Sequence, residues 1–370
     1  MGLYEERWAR YNAAVALEPV DKVPVVSGAA AFAATATGTK LSDFISDMEL
    51  NCTCNIKATE LMGNIDGIQT PLSSPEGLPT LWLSNIRIPG KELPDNELWQ
   101  VVEAELVTQA DYDLILDGGF GPWYSQFMKE KLDDPLNRMK DLIAYGPTAA
   151  QRFKDAGYPI VKDGSILSPF EMLCGGRSLV NFLVDDLLEI PETIDAVFAK
   201  VHEFNMDRYE KRFRGPGKPV GVWVGGWRGT PETLSPEMFE RFSWKYYREL
   251  VELCIDYGVT PILHLDACWD NALHKFRDLP AKKCVMSLDG KTDIYKAKEA
   301  VGGHTCIMGD LPATLLAYGT PQDVYDYTSR LIRDIGPTGF IICSGCDIPY
   351  NAKLENVRMM SQAADDAARK

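Results

Sequence analysis

Three side chains of metal-binding type, an imidazole, a carboxylate and a thiol, stand at the ends of apolar segments in the second half of this chain. His264 and Asp266 are two residues apart in segment 260–266, so in a strand their side chains leave the same face. Cys346 follows the last apolar segment, 339–344, and lies 346 − 264 = 82 residues after His264. Such a set can bind a catalytic zinc with one coordination position left open for a substrate atom.

The spacing of these residues is a weak metal pattern by itself. A histidine at a strand end is often a hydrogen-bonded structural residue, and no paired C-x-x-C motif supports a metal site. Cys268, four residues after His264, is an alternative third ligand to Asp266. Cys343 forms a C-x-x-C with Cys346, but its place inside an apolar segment favours a packed thiol.

The segments that must position these residues alternate between two types. Short apolar runs typical of doubly buried strands are followed by segments with helical spacing of apolar side chains. Strict alternation predicts parallel strands joined by crossover helices, and five such units fit one side of a barrel. The five predicted strands are 219–225, 260–266, 283–289, 304–310 and 339–344.

The first half of the chain is less regular. We expect strands at 23–27, 65–70, 112–116 and 158–163, a helix at 47–62, and an irregular excursion or hairpin at 71–94, which holds five prolines. The predicted fold class is therefore α/β, a single (β/α)8 TIM barrel with N-terminal extra segments that forms one domain over residues 1–370. An open doubly wound sheet is the rival, but no Gly-rich dinucleotide turn follows an early strand.

Barrel enzymes place their working residues at the C-terminal ends of the strands. Asp289 and Asp310 end two predicted strands and are candidate catalytic residues, although either could cap the following helix. Trp227 and Arg228 follow the strand at 219–225 and are candidate substrate-binding residues, with plain packing as the alternative for Trp227.

Composition excludes several classes of protein. The formal net charge is −15, which disfavours a nucleic-acid partner, because phosphate binding needs clustered Lys and Arg. No apolar run is long enough to span a membrane, and the N-terminal residues carry no apolar signal core, so we expect a cytoplasmic protein. The nine scattered cysteines do not suggest a disulfide framework.

The chain resembles the uroporphyrinogen decarboxylase superfamily, and within it the branch of corrinoid-dependent methyltransferases. The resemblance is carried by segments 234–247, 261–266, 308–312, 344–349 and 356–357, with a weaker match at 18–25. It implies a (β/α)8 barrel and a Zn²⁺ cofactor bound by a His-x-Cys pair and a later Cys. His264 and Cys346 match two of these ligands, while Asp266 stands at the position of the other cysteine.

This departure bears on the substrate. A carboxylate in place of a thiolate makes a zinc centre harder and more Lewis-acidic, which suits an oxygen ligand. The resemblance then implies an O-demethylase that moves a methyl group from a methyl ether, of aromatic type, to the corrinoid (cobalamin) of a partner protein, with a homodimer left open.

The sequence is also compatible with other functions. A methylcorrinoid:thiol methyltransferase is the first alternative, and Cys268 as a ligand would favour it. A uroporphyrinogen-type decarboxylase fits less well, because the family's carboxylate-binding arginines are absent from segment 25–31. A decarboxylase of an unrelated acid and a non-enzymatic barrel that binds a partner come after these.

Overall fold

The computed structural model describes residues 2–369, and its core is a ring of parallel strands. Strands β5 to β10 form one continuous parallel sheet in the order β10-β9-β8-β7-β6-β5, and β1 pairs with β2 in parallel. Within these residues the strands are β1 Val26–Ser27, β2 Gly67–Ile68, β3 Asn85–Arg87, β4 Gln100–Val102, β5 Ser165–Ile166, β6 Gly221–Gly226, β7 Thr260–Leu265, β8 Val285–Leu288, β9 Cys306–Leu311 and β10 Phe340–Ser344.

Single bridges join the two parallel sheets into a barrel. Val25 pairs with Ile342 of β10, and Ile68 of β2 pairs with Ile160 in the segment that leads into β5. At these two places the continuous hydrogen bonding between neighbouring strands is replaced by a single bridge. The order of the eight parallel strands is nevertheless that of a (β/α)8 barrel. The predicted fold class is confirmed, whereas the extent of a single domain over residues 1–370 stays a prediction.

Side chains of the strands separate into two apolar layers. The smaller cluster fills the barrel and includes Ile262, Val285 and Met308, with Tyr11 of the first helix closing one end. The larger cluster lies between the sheet and the surrounding helices and includes Leu263 and Met286, the neighbours of Ile262 and Val285 in sequence. Burial on both faces explains why these strands are continuous apolar runs.

The helices surround the barrel, joined by 3₁₀ segments at Pro75–Gly77 and Asp270–Asp278 and π-helical segments at Phe182–Leu188 and Glu240–Trp244. Across residues 2–369, none of the helices combines the length and apolar character needed to cross a membrane. The α-helices are α1 Leu3–Val15, α2 Phe32–Thr37, α3 Leu41–Ser46, α4 Met48–Leu61, α5 Leu78–Trp82, α6 Gln109–Gly118, α7 Phe120–Lys131, α8 Pro135–Arg138, α9 Lys140–Asp155, α10 Pro169–Arg177, α11 Leu179–Asn181, α12 Pro191–Arg214, α13 Pro236–Phe239, α14 Lys245–Asp256, α15 Ile294–Val301, α16 Ala313–Tyr318, α17 Pro321–Asp334 and α18 Leu354–Ala368.

One predicted strand is wrong. Segment 112–116 lies inside helix α6, which begins with a capping box in which Thr108 and Asp111 bond each other's backbone N–H groups. The excursion at 71–94 holds α5 and β3, and β3 pairs antiparallel with β4 to form a hairpin. Segment 158–163 contributes only the bridge at Ile160, while the regular strand β5 begins at Ser165.

Candidate active site

The ends of β7 and β10 bring the three predicted metal ligands together. His264 lies in β7, Asp266 follows that strand, and Cys346 lies two residues beyond the end of β10. The Sγ atom of Cys346 is 3.8 Å from Nε2 of His264, and the same nitrogen is 3.4 Å from Oδ1 of Asp266. The fold therefore brings His264 and Cys346, which are 82 residues apart in sequence, together at one end of the barrel.

These separations resemble those between ligands of one zinc ion. With bond lengths of about 2.0–2.3 Å, tetrahedral zinc places nitrogen and oxygen ligands roughly 3.3 Å apart and nitrogen and sulfur ligands roughly 3.6 Å apart. Across residues 2–369, however, no three His, Cys, Asp or Glu side chains form a complete ligand group. Binding a metal here would therefore require at least one side chain to move.

The alternative ligand Cys268 faces a different neighbour. Cys268 is partly exposed, and none of the side-chain hydrogen bonds within residues 2–369 joins its thiol to His264. The backbone N–H of Cys268 donates to Glu232 at 2.8 Å. Of these two residues, Asp266 is the one with a contact to the His264 ring, at 3.4 Å from its Nε2.

The imidazole of His264 is buried and stacked on an aromatic ring. It is 3% exposed and lies parallel to the indole of Trp223, with 4.0 Å between ring centroids and 10° between the planes. Burial, with a smaller contribution from Lys162, lowers the pKa of His264 to about 3. The ring is thus neutral, which is the form that binds metals, and its buried Nδ1 has no hydrogen-bond partner among residues 2–369.

Negative charge accumulates around this histidine. Burial first, and then Asp289, Glu171 and Asp347, raise the pKa of Asp266 to about 7. Cys346 is exposed, and the surrounding protein, followed by Asp347 and Asp266, raises the pKa of its thiol. A cation bound between these groups would favour their charged forms.

Lys162 is the buried cation of this region, and the sequence analysis did not single it out. Its Nζ lies 3.7 Å from the centroid of the Trp223 ring and donates to Oγ1 of Thr70 at 3.1 Å. Burial lowers the pKa of Lys162 to about 8, although Asp347 opposes this shift. A lysine inside an otherwise apolar predicted strand was the feature that could have identified it, because lysine is rarely fully buried.

Glu171, another missed residue, orders the loop that follows β6. The side chain is buried in α10, and its carboxylate accepts the backbone N–H groups of Trp227, Arg228 and Gly229 at 2.9–3.2 Å. Burial raises the pKa of Glu171, while these three N–H groups act in the opposite direction. This carboxylate therefore fixes the two residues that were predicted to bind substrate.

The two predicted substrate-binding residues have different surroundings. The half-buried ring of Trp227 lies 6.4 Å from the His264 ring, at 76° to it, and meets Trp82 of α5 at 5.5 Å. The guanidinium of Arg228 instead pairs with both carboxylate oxygens of Glu103 at 3.3 Å. Trp227 is therefore beside the candidate ligand set, whereas the charge of Arg228 is partly neutralised by Glu103.

The two candidate catalytic carboxylates also differ. Asp289 follows β8 and accepts N–H bonds from Ala267 and Lys291, at 3.2 and 2.7 Å, and it is among the charges that act on Asp266. Asp310 is 4% exposed and accepts a hydrogen bond at 2.9 Å from Tyr327 of α17. Burial raises the pKa of Asp310 to about 6. Asp289 thus adjoins the ligand set directly, and Asp310 is bonded to the helix layer.

Comparisons with known proteins agree with the fold. A family model described as uroporphyrinogen decarboxylase (URO-D) matches residues 162–367, more than half of the chain. A methyltransferase from Methanosarcina mazei superposes with a TM-score of 0.72 at 17% sequence identity, over 97% of this chain and 98% of that one. At this identity, the likeness shows the (β/α)8 fold alone.

Curated relatives match only part of the chain. A methylcobamide:CoM methyltransferase from Methanosarcina acetivorans is 26% identical over 134 residues, which are 36% of this chain and 38% of that protein. A uroporphyrinogen decarboxylase from Geobacter metallireducens is 26% identical over 181 residues, 46% of this chain and 51% of its own length. The chain thus spans about half or less of the length of these relatives.

Proposed function

This chain belongs to the uroporphyrinogen decarboxylase family, and within that family we propose that it is a zinc-dependent methyltransferase acting on methyl ethers. The proposed reaction moves a methyl group from a small methoxylated aromatic compound to the reduced cobalt, cob(I)alamin, of a corrinoid protein. The ether C–O bond breaks with both electrons remaining on oxygen, a cobalt–carbon bond forms, and a proton completes the phenol.

The observation that carries this proposal is the arrangement of His264, Asp266 and Cys346. The Asp266 carboxylate and the Cys346 thiol lie 3.4 and 3.8 Å from the same nitrogen, Nε2, of the His264 imidazole. The partial similarity to a methylcobamide:CoM methyltransferase supports a corrinoid partner. When bound, zinc would supply electrophilic assistance at the ether oxygen, and the corrinoid would supply the nucleophile.

The protein's own residues would bind and orient the donor. Trp227, whose backbone is fixed by Glu171, offers an aromatic wall beside His264. Asp289 accepts a hydrogen bond from a hydroxyl of the substrate or from a water molecule, and Asp310 supports that side of the site through its bond to Tyr327. Holding the methyl carbon in line with the acceptor is the main contribution that such a barrel can make.

A thiol methyltransferase that runs from methylcorrinoid to a thiol is the second candidate, and the relative from Methanosarcina acetivorans favours it. Against it stands Asp266, because a thiolate at this position would make the more electron-rich centre that activates thiols. Asp266 Oδ1 lies 3.4 Å from Nε2 of His264, whereas no hydrogen bond within residues 2–369 joins the Cys268 thiol to that ring.

Uroporphyrinogen decarboxylation is disfavoured by charge. A substrate with many carboxylates needs cations. Within residues 2–369, the ionisable groups around His264 are mostly carboxylates, with Lys162 as the cation: Asp266, Asp289, Asp347 and Glu171. The nearby Arg228 is paired with Glu103. An acidic site of this kind repels such a substrate.

The proposal is tested by metal analysis together with methyl transfer to cob(I)alamin across a panel of methoxylated aromatics. We expect about one zinc per chain by the coordination argument, with transfer that Cys346→Ser abolishes while the circular dichroism spectrum is unchanged. Cys268→Ser is the matched control and should keep both metal and activity. Equal loss in both variants, or full activity in Cys346→Ser, would overturn the ligand assignment.

A further inference from the structure

Trp82 meets Trp227 at the candidate active site from a part of the chain that lies outside the family match at 162–367. The two ring centroids are 5.5 Å apart and the planes stand at 68°, so the indoles form a corner. Both side chains are half-buried, which leaves part of each ring available to a ligand. Trp227 in turn lies edge-on to His264.

The backbone of Trp82 is held tightly. Helix α5 packs directly on α10, where a Cβ added to Gly175 would collide with the carbonyl oxygen of Trp82. The next residue, Leu83, ends α5 in the left-handed conformation with φ 50° and is completely buried. A bulky residue holds this unfavourable conformation only when its surroundings fix it, so the position of Trp82 is over-determined.

The second wall of the corner is fixed by separate contacts. A Cβ on Gly225 would stand 3.2 Å from Cζ2 of Trp227, so the indole lies against the glycine that pairs with His264 in the sheet. The backbone N–H of Trp227 is bonded to Glu171 at 3.0 Å. Two rigid indoles at a steep angle are suited to one flat ring, which can stack on one wall and meet the other edge-on.

We propose that Trp82 is a specificity-determining residue and that Trp82 and Trp227 together hold the aromatic ring of the methyl donor, with its methoxy group directed to His264. This inference rests on the proposed function for the identity of the reaction, but not for the binding of the ring. Substrate specificity would then depend on the excursion at 71–94, which contains Trp82. His264 and Cys346, in contrast, lie in the part of the chain that the family model matches.

The alternative occupant of an aromatic corner beside carboxylates is a quaternary ammonium group, bound by cation–π attraction. The edge-to-face arrangement of the two indoles, at 68°, favours one flat ring that stacks on one indole and meets the other edge-on. Tetramethylammonium is therefore the competing probe, and 2-methoxyethanol is a methyl ether that lacks the ring.

Equilibrium binding of 2-methoxyphenol, followed by quenching of tryptophan fluorescence in the metal-loaded protein, tests the inference without turnover. We expect saturable binding that Trp82→Leu weakens about five- to tenfold, as loss of an aromatic contact does, and that Trp82→Phe largely restores. Trp8→Leu is the matched control, because Trp8 also stacks on an aromatic ring, that of Tyr11, but does so in α1. The affinity for 2-methoxyethanol should be weaker and indifferent to Trp82.

The outcomes separate this inference from the proposed reaction. Binding of 2-methoxyphenol that depends on Trp82, without methyl transfer to cob(I)alamin, would support the corner and contradict the reaction. Methyl transfer with an affinity that Trp82→Leu leaves unchanged would overturn the corner alone. Tight binding of tetramethylammonium in place of 2-methoxyphenol would overturn it as well.

Discussion

The imidazole of His264 and the indole of Trp223 lie face to face, 4.0 Å apart at their centroids and 10° from parallel. The two residues are offset by two positions in the register between β7 and β6, in which Trp223 pairs with Ile262 and Gly225 with His264. Stacking fixes the plane of the imidazole and thereby directs Nε2 towards Cys346 and Asp266. The ring of Trp223 is therefore a structural support for the candidate ligand set.

Loss of this support should loosen the site. Trp223→Leu removes the flat surface under His264, and we expect zinc affinity to fall about tenfold or more, as when other supports of metal ligands are removed. Competition with a chromophoric chelator measures the affinity, and Trp223→Phe, which keeps a flat ring, is the control. Equal zinc affinity in Trp223→Leu and the parent protein would show that the stack does not orient His264.

Asp266 should decide the chemical preference of the centre. Asp266→Cys places at this position the cysteine that the family resemblance implies, so we expect the sulfur count around bound zinc to rise from one to two. Ether demethylation should fall by at least about tenfold, because the electrophilic character of the centre is reduced. X-ray absorption gives the sulfur count, and an unchanged count would remove Asp266 from the ligand set.

The buried Asp310 should make stability depend on pH. Burial raises the pKa of this carboxyl from 3.8 to about 6, so the folded protein binds the proton more tightly than the unfolded chain. The stabilisation is complete below pH 3.8 and is lost as pH rises through about 6, a change of up to about 3 kcal/mol. Asp310→Asn should remove this pH dependence from the free energy of unfolding.

Urea unfolding at several values between pH 4 and 7 measures that difference between Asp310→Asn and the parent protein. Asp326→Asn, an exposed position on the same helix as Tyr327, is the control and should leave the pH dependence unchanged. Parallel curves for Asp310→Asn and the parent protein would mean that Asp310 titrates alike in both states.

Gly175 should be needed for the packing of α5. Gly175→Ala places a methyl group against the carbonyl of Trp82, and we expect a loss of about 1–3 kcal/mol in the free energy of unfolding, as for other overpacked sites. Gly146→Ala, in a helix where an added Cβ meets nothing within 4 Å, is the control and should not destabilise. Equal stability of the two variants would mean that α5 can shift to make room for the methyl group at little cost in free energy.

Much of the barrel could be predicted because its strands are buried on both faces. The strands observed at β6 to β10 begin and end within two residues of the predicted ones, since their apolar runs report burial directly. Segment 112–116 failed because an apolar run of that length fits a strand or a helix equally well. The spacing of Thr108 and Asp111, a capping box, was the local feature that distinguishes the helix.

The candidate site was predictable only in part. The proximity of His264, Asp266 and Cys346 could be predicted because strand ends converge in a barrel and because the family motif that the chain resembles has ligands at these three positions. Lys162 and Trp82 were missed. A lysine inside an apolar predicted strand was a local signal of burial, but the contacts of both residues join distant segments of the chain. The cation over Trp223 and the corner with Trp227 are tertiary arrangements that no local pattern encodes.

The most direct test of the central claim is methyl transfer from 2-methoxyphenol to cob(I)alamin by the protein as isolated, after metal removal, and after zinc is restored. Formation of methylcobalamin is followed by its absorption spectrum. We expect transfer to disappear on metal removal and to return with about one equivalent of zinc by the coordination argument, but not in His264→Ala. Undiminished transfer by the metal-stripped protein would contradict the proposed function.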